Sequence, residues 1–591
     1  MQESAKAAEG VMLSGVRKDG DCIRTELWRH PPRAGAEGAS AMRKLSGKRT
    51  KINFHLVCFL FLGVRLGTPY FYYKEKKMNR FIEIITSVNN AVNSAVWGLP
   101  GLMLLIGTGI LLTVVTRVFQ VTRVSHWWRN TIASVFKKNS SATNNKDVKT
   151  ISQFQALCAA LAATVGTGNI AGVAAAIVTG GPGAVFWMWI AAFFGMMTNF
   201  SENLLGIYYR RRNQDGEWSG GPMYYLTDGL GERYGKKWLK TPAKVLAILF
   251  SCFAILASFG IGNMAQINKI VLNMDAAFFK NSSLGFIPGT SIDIIHLIIG
   301  LALLGIGALI IIGGLKRIAK VAEIVVPFMA VAYIIGSLII FFINIGSVGA
   351  MLAAIFKFAF KPAAFLGGGI GILIKKTMTQ GFKRGVFSNE AGLGSSVLVH
   401  SSSNVKEPVK QGMWGVFEVF FDTFVICTMT AIVVLSTGYI DLATGAPVSN
   451  ISGDTLVSDA FGKYFGAPGT WFVAIAMLFF AFTTVLGWSQ YGSKAVEYLF
   501  GAKGVKIYKF IFVAMIVSGA VMEGDLAWDL SDTFNGLMMI PNLIGVVALF
   551  PLVLKVTKNY VDRKINGKDV APMLSYDPEL QREAETSLDE E

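Results

Sequence analysis

The chain reads as an all-α polytopic membrane protein of eleven spans, ten of which divide into two five-helix halves that enter the membrane in opposite senses. Three observations predict this class. First, the 591 residues are 52% hydrophobic and only 16% charged, against about 25% charged in soluble proteins. Second, charge is missing from long stretches. Residues 151–201 hold no Asp, Glu, Lys or Arg, enough for two spans of about 20 residues each. Further uncharged runs cover 245–268, 324–356, 466–493 and 533–554. Third, two apolar segments interrupted by glycines, Thr164 to Ala176 and Gly385 to Val399, lead the two halves.

In chain order the spans are read at 98–119, 153–178, 182–208, 245–272, 294–315, 322–346, 377–400, 411–437, 466–493, 503–522 and 533–555. With the first set aside, five begin with the TVGTGNIAG helix and five with the SNEAGLGSS helix. An odd number of spans per half inverts the second half, so the two leading helices meet near the bilayer midplane. Lys and Arg orient the whole: 29 fall in the connections on one side and in the tail, and eight on the other. The rich side and the C-terminus are therefore expected in the cytoplasm, and the chain in the cell membrane. The net charge of +17 comes from these short connections and does not point to nucleic acid.

Two regions depart from the pattern. Residues 347–384 carry six of the eight outer charges, and the apolar run 362–374 is too short to span. Residues 347–376 are accordingly read as an outer interfacial or re-entrant segment. Residues 1–77 hold fifteen Lys or Arg and seven Asp or Glu, on the side expected to be poor in basic residues. They read as a non-native or disordered basic extension, with Met78 as the natural start; an extension that is cleaved or kept in the cytoplasm is the alternative. The remaining divisions are 78–152 (first span and cytoplasmic loop), 153–346 and 377–556 (the two repeats) and 557–591 (cytoplasmic tail). The five cysteines are scattered and form no metal spacing or disulfide framework.

Glycine frees φ and removes bulk, so it weakens a helix where the backbone must open. In hydrocarbon an opened backbone needs polar partners, and such breaks persist around a cavity, ion or substrate. In the first break Gly166, Gly168 and Gly172 surround Thr167 and Asn169. Its free N–H groups suit a carboxylate, and the carbonyls of Ala162 and Val165 suit a hard monovalent cation. In the second, Ser388, Asn389 and Glu390 precede Gly392 and Gly394. Small residues four apart also serve plain helix packing, but paired breaks that both carry Asn favour a binding site of the kind secondary transporters use. Gln266 on its own span, and the adjacent hydroxyls of Thr483 and Thr484, are further candidates. Glu202, Glu323, Glu390, Glu418 and Asp422 lie in or beside spans, where carboxylates are costly and face a polar interior. Glu390, inside the break, keeps proton coupling open. A membrane enzyme would need a nucleophile–base pair or a metal cluster. The five histidines are isolated, and no HExxH or GxSxG occurs.

At these residues a resemblance emerges. Gly180 to Gly195 (GGPGAVFWMWIAAFFG) resembles the signature of the sodium:alanine symporter family, and TVGTGNIAGVAAA, RGVFSNEAGLGSS and GGPMYYL (Gly220 to Leu226) match its other hallmark blocks. The likeness runs from about Met78 to about residue 565. It implies a leucine-transporter-type fold with one extra leading span, and sodium-driven uptake of alanine or glycine. By that likeness Thr164, Gly168 and Asn169 line the substrate, while Ala162, Val165, Thr483 and Thr484 hold sodium. Phe387, Ser388 and Gly392 fall on the opposed broken helix, and Gln266 faces the amino acid. No cofactor beyond the coupling ion is implied. A proton-coupled small amino-acid carrier is the runner-up.

Overall fold

The apolar runs of the sequence fold into helices, as backbone in hydrocarbon must. The computed structural model describes residues 72–137, 150–231, 237–279, 284–288, 292–361, 370–448, 453, 455–522 and 526–589. The extension expected at 1–77 therefore lies outside the described residues up to residue 71. Helix α1 (Tyr72–Val96) leads into α2 (Leu99–Val115), and the first broken element is α3 (Gln153–Thr164) followed by α4 (Val173–Gly180). Helices α5 (Gly183–Tyr208), α6 (Lys237–Phe259), α7 (Ala265–Met274), α8 (Ile294–Ile311) and α9 (Gly314–Ile343) complete the first part. After α10 (Ile345–Phe360) come α11 (Ile370–Asn389), the single turn α12 (Val397–His400), α13 (Pro408–Val419) and α14 (Thr428–Ser436). The last long elements are α15 (Ala467–Ala520) and α16 (Leu526–Lys564), with α17 (Pro578–Asp589) beyond them.

The start of α3 is secured by a capping box. The Ser152 hydroxyl accepts from Gln155 N–H while the Gln155 side chain accepts from Ser152 N–H. The helix ends twelve residues later, and α3 and α4 meet at a bend of 53°. Short π-helical stretches, Gly168–Gly172, Gly260–Met264 and Phe420–Cys427, interrupt the helices around the same region. Such wide turns occur often at functional sites.

Eight helices are long and apolar enough to cross a membrane, or nine if the bent pair α3–α4 counts as one span, among the described residues. Length and hydropathy alone thus do not reach the expected eleven, for two physical reasons. The spans expected at 466–493 and 503–522 form one helical run, parted only where Gly501 adopts φ 69° and ψ −173°. The span expected at 377–400 is not one helix: α11 stops at Asn389, and Glu390, Gly392 and Gly394 take φ values of 55°, 92° and 72°, which no right-handed helix contains. The segment expected to lie at the interface, 347–376, comprises most of α10 and the start of α11; residues 362–369 are outside the described residues.

Burial follows the bilayer rather than water. On α8 and α9, Leu309 and Phe328 are 71% and 64% exposed. These helices are long and apolar enough to cross a membrane, so an apolar face of this kind suits contact with lipid. In contrast, Asn199, Ser201, Glu202 and Asn203 on α5 are fully buried, so polar groups face the interior. Helix α5 is the central post, packed along α11 and α13, while α3 lies between α9 and α15. Close approach is arranged by glycine: a Cβ on Gly183 would collide with the backbone of Phe358 and Ala359 on α10. Gly183→Val is therefore expected to lower the melting midpoint in detergent by several degrees, since overpacking costs about 1–3 kcal/mol. A wild-type melting curve for this variant would show that α10 does not dock there.

Candidate functional site

At the first break, α3 ends because its next N–H groups leave the helix. Val165 N–H still donates to Leu161 C=O at 2.8 Å. Gly166 N–H, which would close the next turn on Ala162 C=O, donates to Asn169 Oδ1 at 2.9 Å. Thr167 N–H reaches Gln266 Oε1 at 3.4 Å. Asn169 N–H turns back to Gly166 C=O at 3.3 Å, bypassing Val165. The carbonyls of Ala162 and Val165 thereby lose their usual helical donors. Val165 itself has ψ 87°, which points its peptide out of the helical direction.

The second break uses the same device. Asn389 Oδ1 accepts from Ala391 N–H at 3.0 Å, closing a tight local turn. Gly392 N–H faces Glu202 Oε2 at 3.5 Å. Asn542 on α16 donates to Gly392 C=O at 2.8 Å and also to Glu202, while Tyr225 donates to Asn542. Glu390, a non-glycine at positive φ, donates its N–H to Val386 C=O at 2.8 Å, and its carboxylate accepts from Ser395 Oγ at 2.5 Å.

The two breaks touch. A Cβ on Gly168 would lie 3.0 Å from Cδ1 of Phe387 and 3.3 Å from Cα of Ser388. They also share one anchor on a third element. Asn169 Nδ2 donates to Asp422 Oδ1 at 2.6 Å, and Ser388 Oγ donates to Asp422 Oδ2 at 2.8 Å. Thr423 Oγ1 donates to the same Oδ2 at 2.9 Å and accepts from Asn389 Nδ2 at 3.0 Å. Both asparagines thus converge on Asp422–Thr423, within the π-helical stretch Phe420–Cys427. Asp422 is fully buried. Sequence reading named it only as one carboxylate among five and missed Thr423 and Asn542, because nothing local marks a side chain whose partners lie 34 and 253 residues away.

The remaining candidates divide. Gln266 reaches the first break through Thr167, and its amide donates to Ile261 C=O at 3.1 Å. Thr484 Oγ1 donates to Phe480 C=O at 3.0 Å and sits where a Cβ on Gly166 would fall. Its hydroxyl is therefore beside Gly166. Thr483 Oγ1 also bonds its own helix, at 2.8 Å to Phe479 C=O, but faces Met329 on α9 at 3.7 Å. Thr164 Oγ1 bonds Ala160 C=O at 3.3 Å within α3. Among the other carboxylates, Glu418 meets His400 Nε2 at 3.1 Å and Glu323 accepts from Gln155 at 2.9 Å. Among the described residues, no group of three or more His, Cys, Asp or Glu is placed to hold a metal ion. A cavity of about 250 Å³ is lined by Thr167, Ala171, Gly172 and Phe387, so it borders both broken elements.

The residue pattern of the sodium:alanine symporter family matches residues 82–573. A "Sodium/alanine symporter AgcS" of Methanococcus maripaludis is 42% identical over 480 residues, covering 81% of this chain and 98% of its own. An "Uncharacterized transporter" of Haemophilus influenzae is 40% identical over 489 residues, covering 82% of this chain and 98% of its own. A "Putative sodium/proton-dependent alanine carrier protein YrbD" of Bacillus subtilis is 36% identical over 490 residues, covering 81% and 93%. With its polar interior, its paired helix breaks and this match over most of its length, the chain belongs to the sodium:alanine symporter family and is a membrane transporter for amino-acid and cation symport, not an enzyme.

Proposed function

We propose that the chain carries a small neutral amino acid, alanine or glycine, into the cytoplasm together with sodium, by alternating access. The observation that carries this reading is the contact between the breaks: Gly168 lies against Phe387 and Ser388, and so close an approach of the two turns favours a substrate with a small side chain. The substrate carboxylate takes the N–H groups of the 166–169 turn in place of the Asn169 and Gln266 oxygens that they face here. Its ammonium takes carbonyls of the 387–392 turn, where Asn389, Ser388 and Gly392 set the backbone. Sodium takes the carbonyls of Ala162 and Val165 with the hydroxyls of Thr484 and Thr483; these neutral oxygens suit a hard monovalent ion.

The reading includes eleven spans arranged as a leucine-transporter-type five-plus-five inverted repeat behind one extra span, with α15 counted twice across Gly501 and α11–α12 counted as the second broken helix. It also places the chain in the cell membrane with a cytoplasmic C-terminus. In that orientation the cavity faces outward. The opposite end is sealed by buried Arg210, which donates to the carbonyls of Ser403 and Val405 at 2.6 and 2.5 Å, and by Lys494, which donates to Trp218 C=O at 3.0 Å. Inward opening then requires these inner contacts to part while the outer cavity closes.

Two buried carboxylates at the breaks, Asp422 and Glu390, favour one alternative: a proton in place of sodium, as the name of the Bacillus subtilis relative includes. Proteoliposomes with imposed gradients separate the two. Sodium-driven uptake of labelled alanine or glycine, lost when choline replaces sodium, is the expected result. Uptake driven by a pH gradient alone, indifferent to sodium, would transfer the reading to the alternative.

A further inference from the structure

We propose that the charged mouth of the cavity is a second amino-acid subsite, in which Arg384 receives the carboxylate and Asp532 the ammonium of a zwitterion waiting above Phe387. The proposal rests on the amino-acid reading above and extends it to residues outside the breaks. Arg384 and Phe387 stand three apart on α11, so they share a helix face, and the guanidinium carbon lies 5.8 Å from the Phe387 ring centre. Both line the cavity. Arg384 Nε is buried and has no hydrogen-bond partner among the described residues.

Asp532 of α16 lines the same cavity. Its Oδ2 accepts from Lys383 Nζ at 2.5 Å and from Asn93 Nδ2 at 3.1 Å, and its carbonyl accepts from Trp97 Nε1 at 3.2 Å. The residue is thus held in place, yet its Oδ1 is buried with no hydrogen-bond partner among the described residues. An unmet buried polar atom is costly. Here two residues of opposite charge, each carrying one such atom, line the same cavity. An anion alone answers only the arginine and a cation only the aspartate. A zwitterion answers both after small side-chain rotations, and the guanidinium fork matches a carboxylate's two oxygens. Lys269 and Asp529 complete the rim, which therefore carries charge of both signs and repels neither end of the ligand.

The test is sodium-driven uptake kinetics in proteoliposomes, with wild type, Arg384→Gln, Arg384→Lys and Asp532→Asn. Losing one charge-assisted contact is expected to raise KM about tenfold in Arg384→Gln and in Asp532→Asn, with the maximal rate within about twofold of wild type. Arg384→Lys, which keeps the charge and loses the fork, falls between. Excess propionate, a carboxylate without an ammonium, competes weakly with wild-type uptake and less with Arg384→Gln. Wild-type KM in both arginine variants overturns the subsite, as does a loss of maximal rate at unchanged KM in Arg384→Lys. If Arg384→Gln does not assemble, Arg384→Lys decides by the same criterion. A wild-type protein that takes up no amino acid overturns the transport reading instead, so the two failures are distinct.

Discussion

Gly168→Leu is expected to abolish amino-acid uptake while the protein still reaches the membrane and elutes as a single species in detergent. The hydrogen at Gly168 points at the Phe387 ring and the Ser388 backbone, and a Cβ there already falls 3.0 and 3.3 Å from their atoms. A leucine adds three more carbons in the same direction, into the ground proposed for the substrate. Overpacking of this kind costs about 1–3 kcal/mol even where neighbours yield. The side chain also fills the gap the substrate needs, so uptake should fall at least about a hundredfold. Gly168→Ala, which adds one carbon at the tolerable edge of contact, should retain part of the activity. Wild-type uptake by Gly168→Leu would remove the substrate from the junction of the breaks.

The second large effect is expected at Asp422. Asp422→Ala strips acceptors from Asn169, Ser388 and Thr423 together. Each hydrogen bond to a charged group is worth about 1.5–3 kcal/mol, and here the bonds set the relative position of both breaks. Uptake should drop at least about a hundredfold in Asp422→Ala, by the conversion of about 1.4 kcal/mol per tenfold. Asp422→Asn keeps one carbonyl acceptor and turns the other oxygen into a donor, so an intermediate loss is expected. Counterflow exchange of labelled amino acid, scaled to the amount of protein reconstituted, measures both. An Asp422→Ala protein with the exchange rate of wild type would show that the shared anchor is dispensable.

Most helices were legible because an apolar run about 20 residues long can do little in a membrane but become a helix. The runs at 182–208 and 294–315 correspond to α5 and α8 within a few residues. The first break was legible too, since TVGTGNIAG crowds three glycines around an amide within a helix that otherwise carries alanine and leucine. The second was legible only as a place. The residues that stop α11 are Glu390, Gly392 and Gly394 in positive φ, and a glutamate gives no local warning of that conformation. The single turn α12 beyond it stands at the end of what was expected as the span 377–400. The four basic residues of α11, Lys375, Lys376, Lys383 and Arg384, count in the sequence among the outer charges of 347–384. Two of them, Lys383 and Arg384, line the cavity.

What the amino-acid sequence determined by itself is the set of elements that need only neighbours along the chain. These are the apolar runs, the glycine-weakened points within them, and the blocks that carry the family likeness. Hydrophobicity and backbone freedom are local properties, and they act before any tertiary contact exists. Only the folded structure decided which polar groups meet. Asn169 and Asn389 are 220 positions apart, yet both are fastened to Asp422–Thr423. Glu202 and Asn542 clasp the second turn from two further helices, and Arg384 and Asp532 share one cavity wall. In an interior without water a buried polar group must find its partner wherever the packing brings one. That requirement is met in three dimensions and leaves no pattern along the chain.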